Sequence, residues 1–429
     1  MHNKGRFPNV FFGARLRPDG AVLVVIVFLF VALSAQPVQG QTFSVIYNFT
    51  GGADNGPEGG LTMDGTGNFY GTASGYIQDL HCHSGCGEVF KLTHERSGWN
   101  LTPLYRFNGA SDGSLPYARV VFGPDGNLYG TTMRGGGSGC GANVFGPGCG
   151  TVFTLSPAGG NETPIYRLSQ GKDGTWPAWD NLVFDRAGNI FATSVGGGLY
   201  NGGTVYELTR SSSGWTKTVL YNFTGGADGN SPRGVIFDGA GNLYGATASG
   251  GNQRRGTVYQ LVPKGLGWTQ KVLYNFQGLS DGANPGDALV MDQAGNLYGT
   301  TGYGGTGCDY LYGCGNVYEL SASITGNWTL TVLHSFSYWD MGSVEPLTMD
   351  AAGNLYGTTF REGVYGCGSV FKLTRSGSDW TYRSLHDFTC GSDGGWPTSN
   401  VTLDTNGNLY GTATENGANG VGVIWEITP

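Results

Sequence analysis

The chain has 429 residues, of which 79 are glycine and only 13% are charged, against about a quarter in an average protein. Tyr, Phe and Trp make up 13% of the sequence, so the composition excludes a disordered chain and suits many short strands joined by glycine-rich turns. The formal net charge is −8 and no basic run is present, which excludes nucleic acid as a partner because phosphate contacts need clustered Lys and Arg.

The first predicted element is an export signal over residues 1–40. Four basic residues and Asp19 accompany the uncharged apolar run Ala21–Ala35, and the small residue Gly40 offers a cleavage point. The run is too short for a membrane span, which needs about 20 residues, but is typical of a signal-peptide core. The alternative is an uncleaved signal anchor. Removal of residues 1–40 takes four of 23 basic and one of 31 acidic residues, which leaves 19 against 30 and a net charge of −11. We therefore expect a secreted protein, extracellular or periplasmic, with no membrane span after cleavage.

Seven copies of one unit follow the predicted signal. Each copy contains a Gly-Asn pair followed by two aromatic or aliphatic residues, as in GNLYGTT at Gly295–Thr301. Periods near 50 residues are typical of β-propellers rather than of helical solenoids. The asparagines, spaced 53–62 residues apart, are Asn68, Asn127, Asn189, Asn242, Asn296, Asn354 and Asn408.

Each copy contains four segments with the alternating apolar pattern and the β-branched or aromatic content of short strands. In the fourth copy these segments are Gly234–Asp238, Asn242–Thr247, Gly256–Leu261 and Lys271–Phe276. The prediction is an all-β fold: a seven-bladed β-propeller of four-stranded antiparallel blades, in a single domain over residues 41–429. The last copy ends at its third strand, Gly422–Ile427, so the N-terminal segment 43–49 is expected to complete that blade and close the ring.

The repeats resemble the GloVer (Gloeo_Verruco) extracellular tandem repeat of exported bacterial proteins. The resemblance rests on the pattern GNLYGTT…GTVYEL…W…VLYNF in all seven copies and covers the whole chain after residue 40. It implies a propeller-like, exported repeat protein and brings no established activity.

The segment HCHSGCG, His81–Gly87, has the residue types of a zinc site. The repeat offers a second interpretation, because Cys86 directly precedes the third strand, as Cys149, Cys314 and Cys367 do in other blades. No other of these loops contains histidine, so we expect disulfides rather than a metal, and no cofactor. The predicted pairs, which would stabilise short loops, are Cys82–Cys86, Cys140–Cys149, Cys308–Cys314 and Cys367–Cys390.

The loops that enter the blades share a second motif, an Asp-Gly pair followed by proline. It is either a ring of carboxylates that binds a cation or polar ligand, or a turn that every blade needs. Its recurrence favours the turn, and the loops lack the spacing of an EF-hand. The aspartates are Asp54, Asp112, Asp173, Asp228, Asp281 and Asp393, with a divergent Asp340 in the sixth blade.

Tryptophan occurs in two settings. Five residues precede an outer strand and are expected to pack the repeat: Trp99, Trp215, Trp268, Trp328 and Trp380. Four others lie in entry loops, where most blades have no aromatic residue: Trp176, Trp179, Trp339 and Trp396. Exposed rings there would offer flat apolar area to a sugar ring or a partner side chain, and Asp180 would add hydrogen bonds. The alternative is that these rings cover the tops of their own blades.

Residues suited to catalysis are scarce. The chain has six histidines, and His334 and His386 take the place of tyrosine in the outer-strand motif VLYNF. No G-x-S-x-G or H-E-x-x-H motif is present. The leading prediction is a monomeric, exported, non-catalytic propeller that binds a polysaccharide or a cell-envelope protein on its cysteine-bearing loop face. The alternatives are a lyase or glycoside hydrolase that uses channel carboxylates, and a purely structural surface protein.

Overall fold

The computed structural model describes residues 41–51, 56–75, 86–109, 111–137, 140, 148–177, 181–278, 280–286, 288–306, 314–323, 325–337, 346–377 and 379–429. The predicted export signal lies outside these ranges, as do Cys82, Trp179, Asp180, Cys308 and Trp339. Within the ranges the chain forms strands and turns, and no helix there has the length and apolar character of a membrane span. Residues Thr42–Thr428 form one compact unit.

The strands are short, because turn residues interrupt the apolar pattern at regular intervals. The first three blades and the N-terminal strand contain β1 (Thr42–Asn48), β2 (Thr62–Met63), β3 (Phe69–Ala73), β4 (Glu88–Glu95), β5 (Gly98–Arg106), β6 (Val121–Phe122), β7 (Leu128–Thr132), β8 (Thr151–Leu155), β9 (Thr163–Arg167), β10 (Val183–Phe184), β11 (Ile190–Ser194), β12 (Thr204–Ser211) and β13 (Gly214–Asn222). The other four blades contain β14 (Asn230–Phe237), β15 (Leu243–Ser249), β16 (Thr257–Lys264), β17 (Gly267–Asn275), β18 (Ala283–Pro285), β19 (Val290–Met291), β20 (Leu297–Tyr303), β21 (Asn316–Ala322), β22 (Trp328–Ser335), β23 (Thr348–Met349), β24 (Leu355–Thr359), β25 (Ser369–Ser376), β26 (Asp379–Asp387), β27 (Thr402–Leu403), β28 (Leu409–Ala413) and β29 (Val423–Thr428).

These strands form seven antiparallel sheets, one for each repeat, and consecutive strands pair from the inside outward, as in β10-β11-β12-β13. In the fifth blade the inner strand consists of two pieces, β18 and β19, which both pair with β20. The inner strands of blades two to seven surround a central cavity of about 780 Å³. The prediction of an all-β, seven-bladed propeller is confirmed.

The seventh blade combines the two ends of the described chain. Strand β1 pairs antiparallel with β29, with Thr42 opposite Thr428, and the sheet order is β1-β29-β28-β27. This blade also contacts the first one: the Thr402 hydroxyl donates to the Leu61 carbonyl, and the rings of Phe69 and Tyr410 lie 4.5 Å apart. Strand β1 therefore covers the edge that β29 would otherwise expose.

The turn between the first and second strands explains the recurring Asp-x-x-Gly-Asn sequence. In the fifth blade, the Asp292 carboxylate accepts hydrogen bonds from the backbone and side-chain amides of Asn296, at 2.9 and 2.8 Å, and from the Tyr298 hydroxyl at 3.1 Å. Burial alone would raise the pKa of the equivalent Asp64, but hydrogen bonds, chiefly from Asn68 and Thr66, lower it to about 2. The motif is therefore a structural turn.

The outer strands are longer than the alternating pattern predicts. Strand β17 begins at Gly267 rather than near Lys271, because the Gly-Trp pair belongs to the hairpin ladder, with Trp268 opposite Pro263. The tryptophans of the outer strands pack on aromatic rings of second strands, as Trp380 does on Tyr298 at 5.8 Å. Their contacts agree with the predicted packing role.

Candidate functional site

One backbone geometry recurs in five of the described entry loops, where the loop reaches its proline. The residue before the proline has a positive φ and donates its amide hydrogen to the carbonyl of the residue two positions before the third strand of the preceding blade. Trp176 (φ 62°) donates to Cys149 at 2.9 Å, and Trp396 (φ 55°) donates to Cys367 at 2.8 Å. The described residues in this position are Leu115, Trp176, Ser231, Asn284 and Trp396. We call the surface formed by these entry loops and the loops between second and third strands the cysteine-bearing face; its backbone is constant while its side chains vary.

Disulfides stabilise this face. Cys140 and Cys149 form one, with their Cα atoms 5.2 Å apart, and Cys367 and Cys390 form another, at 5.5 Å. These two predicted pairs are confirmed. Cys86 and Cys314 are also disulfide-bonded, and their predicted partners lie outside the described residues. Each described disulfide includes the cysteine whose carbonyl anchors an entry-loop tryptophan.

The aspartates of the Asp-Gly loops make turn contacts. Asp281 Oδ2 accepts from the Tyr274 hydroxyl at 2.9 Å and from the Gln277 amide at 2.8 Å. In the seventh blade a histidine replaces the tyrosine, and His386 Nε2 lies 3.1 Å from Asp393 Oδ2. These contacts support the interpretation of the motif as a turn. The same two contacts, from an aromatic residue and a backbone amide, recur at Asp112, Asp173, Asp228, Asp281 and Asp393.

The surroundings of Trp176 are largely closed. The guanidinium carbon of Arg134 lies 4.7 Å from the ring centroid, which is a cation–π contact, and Arg134 is 1% exposed. Met133 and Tyr117 are buried beside it. Trp176 is itself half-buried, so this ring mainly packs between blades two and three.

Trp396 occupies the equivalent place between blades six and seven, but its neighbours are more open. The ring of Phe360 lies 5.9 Å away, and the guanidinium carbon of Arg361 lies 5.5 Å from the Trp396 centroid. All three side chains are half-buried. The loop that follows Arg361 carries two exposed apolar side chains, Val364 at 79% and Tyr365 at 60% exposure. We call Phe360, Arg361, Val364, Tyr365 and Trp396 the aromatic patch.

The exposed apolar pair Val364-Tyr365 has a counterpart in blade three. Leu199 and Tyr200 occupy the same positions in a loop of equal length and are also exposed. There, however, the next entry loop has Ser231 in place of Trp396. These exposed loop residues, together with Phe360 and Arg361, were not predicted from the sequence. The pattern that could have identified the exposed ones is an apolar residue followed by tyrosine at equivalent loop positions of blades three and six, Leu199-Tyr200 and Val364-Tyr365.

The channel has mostly aliphatic walls, including Val121, Val183 and Ile236. Arg119 also lines the cavity, and burial lowers the pKa of its guanidinium group. Burial would raise the pKa of the lining residue Asp350, but hydrogen bonds, chiefly from Asn354, lower it, whereas a general acid needs a raised pKa.

One carboxyl group near the start of the first blade does have a raised pKa. Burial raises the pKa of Glu58 to about 8, although a hydrogen bond with Ser74 opposes this. Its neighbour Tyr117 is buried, and the negative charge of Glu58 adds to the rise in the pKa of Tyr117. Glu58 was not singled out from the sequence, where it is an ordinary glutamate after an entry-loop proline. Within the described ranges, no three side chains of His, Cys, Asp or Glu come together as a metal site.

The fold has distant structural relatives. The extracellular domain of a protein described as a hybrid two-component system of B. thetaiotaomicron aligns with a TM-score of 0.53 and 11% identity, over 90% of this chain and 39% of that chain. A second structure of an extracellular domain from B. thetaiotaomicron, described as a one-component system, aligns with a TM-score of 0.50 and 10% identity, over 89% and 40%. A protein described as a 6-phosphogluconolactonase of Bacteroides uniformis aligns at 0.49 with 15% identity, over 77% and 84%. At these identities the likeness concerns the fold alone.

No curated protein matches the chain in sequence. The Gloeobacter/Verrucomicrobia repeat matches it over residues 142–344 and again over 310–429, which together exceed half of its length. The chain belongs to the Gloeobacter/Verrucomicrobia repeat family.

Proposed function

We propose that the protein is an exported, non-catalytic binding protein whose cysteine-bearing face holds an extracellular polysaccharide. The observation that carries this proposal is the aromatic patch. Of the five exposed large apolar side chains in the described residues, Val364, Tyr365, Leu199 and Tyr200 lie in loops of this face. Exposed apolar side chains gathered on one face are typical of binding surfaces.

The patch suits a sugar ring. Trp396 and Tyr365 combine flat apolar area with polar edges, and Arg361 adds hydrogen-bond donors for hydroxyl groups. The Trp396 amide is anchored on Cys367, which is itself joined to Cys390, so little loop entropy would be lost on binding. The same disulfides support the export proposal, because such bonds persist in oxidising compartments.

We expect Trp396→Ala and Tyr365→Ala each to weaken retention on a polysaccharide panel about tenfold or more, as loss of a central aromatic contact does. Tyr200→Ala is the matched control, because it removes an exposed ring at the equivalent loop position in blade three, where the following entry loop has Ser231 in place of Trp396. It should leave retention unchanged. Affinity electrophoresis measures all three, and melting temperatures check folding.

Equal retention by wild type and Trp396→Ala would refute the patch as the site. Release of shortened fragments, lost on Asp→Asn changes in the channel, would support the hydrolase or lyase alternative. Absence of retention on every polysaccharide, with capture of one envelope protein, would show that the ligand class is wrong.

A further inference from the structure

One position of the outer strand contacts the entry loop of its own blade, and the side chain at this position differs from blade to blade. In blade three, Lys217 of β13 donates to the carbonyl oxygen of Asp173, and its Nζ lies 3.0 Å from Asp173 Oδ1. The Lys217 side chain is 2% exposed. In blade four, Gln270 Nε2 donates to the equivalent carbonyl of Asp228 at 3.1 Å. The outer strand therefore supplies a donor to this carbonyl in both blades.

Blade two has an acceptor at the same position. Thr218 lies opposite Glu207 in blade three, and Thr163 lies opposite Thr154 in blade two, as the second pair after the bulge in each case. Thr163 and Thr218 therefore hold equivalent positions, and so do the residues before them, Glu162 and Lys217. Blade two thus has a carboxylate where blade three has an ammonium group. The entry-loop acid whose charge acts on Glu162 is Asp112. It is the counterpart of Asp173, because each accepts a hydrogen bond from the tyrosine seven residues before it.

Both acids are buried, Glu162 at 9% and Asp112 at 6% exposure. Asp112 Oδ2 accepts from the Tyr105 hydroxyl and the Asn108 amide, each at 2.9 Å. Among the described residues, Asp112 Oδ1 and Glu162 Oε1 have no hydrogen-bond partner. A buried carboxylate oxygen without a partner is costly, so the site lacks a positive group.

The raised pKa of Glu162 agrees with the lack of a positive group at this site. Burial, followed by the negative charge of Asp112, raises the pKa of Glu162 to about 8, while Arg167 opposes the rise. Arg167 is exposed and its Nε donates to the Ser111 carbonyl at 2.8 Å, so it does not take the place of the Lys217 ammonium group.

We propose that a calcium ion binds between Glu162 and Asp112, where blade three has the Lys217 ammonium group. Its protein ligands are Glu162 Oε1, Asp112 Oδ1 and the Asp112 carbonyl oxygen. From the part of the chain that the structure describes, this carbonyl accepts one long hydrogen bond, from the Thr151 hydroxyl at 3.4 Å. Calcium takes six to eight oxygen ligands in flexible geometry, so water completes the shell. Two carboxylates and one carbonyl fit the weak affinity of extracellular calcium modules, about 0.1–1 mM.

The test measures the melting temperature of the purified chain at pH 8 in EGTA and in 10 mM CaCl₂. Calcium should raise it by about 2 °C, and MgCl₂ by less, because binding to the folded state alone stabilises it. Glu162→Lys, which copies blade three, should melt higher than calcium-free wild type and lose the calcium response. Glu95→Gln, which removes an exposed acid, should keep that response.

The pH dependence separates calcium from a proton shared by the two acids. The folded-state pKa of Glu162 lies above its ordinary value of 4.5, so its stabilising contribution is complete below pH 4.5 and is lost as the pH rises through 8. The calcium response should therefore vanish at pH 5. Two results together would overturn the calcium site in favour of the shared proton: wild type shows no calcium response at pH 8, and Glu162→Gln melts at a higher temperature than wild type at that pH. An unchanged response in a folded Glu162→Gln would overturn it too.

Discussion

Replacing Trp425 by alanine is expected to lower the free energy of unfolding by about 3–5 kcal/mol, the usual cost of deleting a large buried aromatic side chain. Trp425 lies in β29 and is completely buried. Its ring centroid is 6.4 Å from Phe43 of β1 and 6.3 Å from Phe388 of blade six. The deletion would therefore open a cavity where β1, β29 and the neighbouring blade meet.

The cavity would have little room to collapse. A Cβ atom on Gly411 of β28 would lie 2.3 Å from the Trp425 ring, so the ring rests directly on that backbone. Urea unfolding at fixed pH measures the effect. Trp380→Ala is the control, because this half-buried ring on the outer strand should cost clearly less. A loss below about 1 kcal/mol for Trp425→Ala would contradict the packing described for the seventh blade.

The second large effect is expected at Lys217. Lys217→Ala should cost about 3 kcal/mol or more, because removal of one member of a buried ion pair leaves the other charge without compensation. Asp173 is 15% exposed in its side chain and would keep hydrogen bonds from Tyr166 and Ser169 but lose its cation.

Lys271→Ala is the matched control for this change. Lys271 is exposed on the outer strand of the next blade, and its loss should stay within about 0.5 kcal/mol. Equal losses for the two variants would show that the Lys217–Asp173 pair adds nothing to stability beyond an ordinary surface lysine.

The number of blades, the strand order and two disulfide pairs were predictable because their signals are local and repeated. The turn at Asp292 is complete within the seven residues to Tyr298, so its sequence pattern is visible in six of the seven copies. In blade two Gly123 stands at the aspartate position, and Asp125 accepts the hydrogen bonds of Asn127 and Tyr129 instead. The Cys140–Cys149 pair closes a single loop. Strand ends were less accurate, because the Gly-Trp hairpin continues a ladder that the alternating pattern does not mark.

The candidate sites depended on partners from other blades. Trp176 and Trp396 look equivalent in sequence, and their backbones are equivalent in the structure. What distinguishes them is the preceding blade, which buries Arg134 beside one and leaves Arg361 half-buried beside the other. Glu162 looks like a surface residue until its strand is placed against Asp112.

The all-β class, the sevenfold repeat and the turn chemistry could be predicted from the amino-acid sequence, since the signal for each comes from residues a few positions apart. Only the packed blades show that Trp176 lies beside a buried arginine and Trp396 beside a half-buried one, and that Glu162 comes near Asp112. Exposure and charge compensation are set by groups that are distant along the chain and come together only when the blades pack.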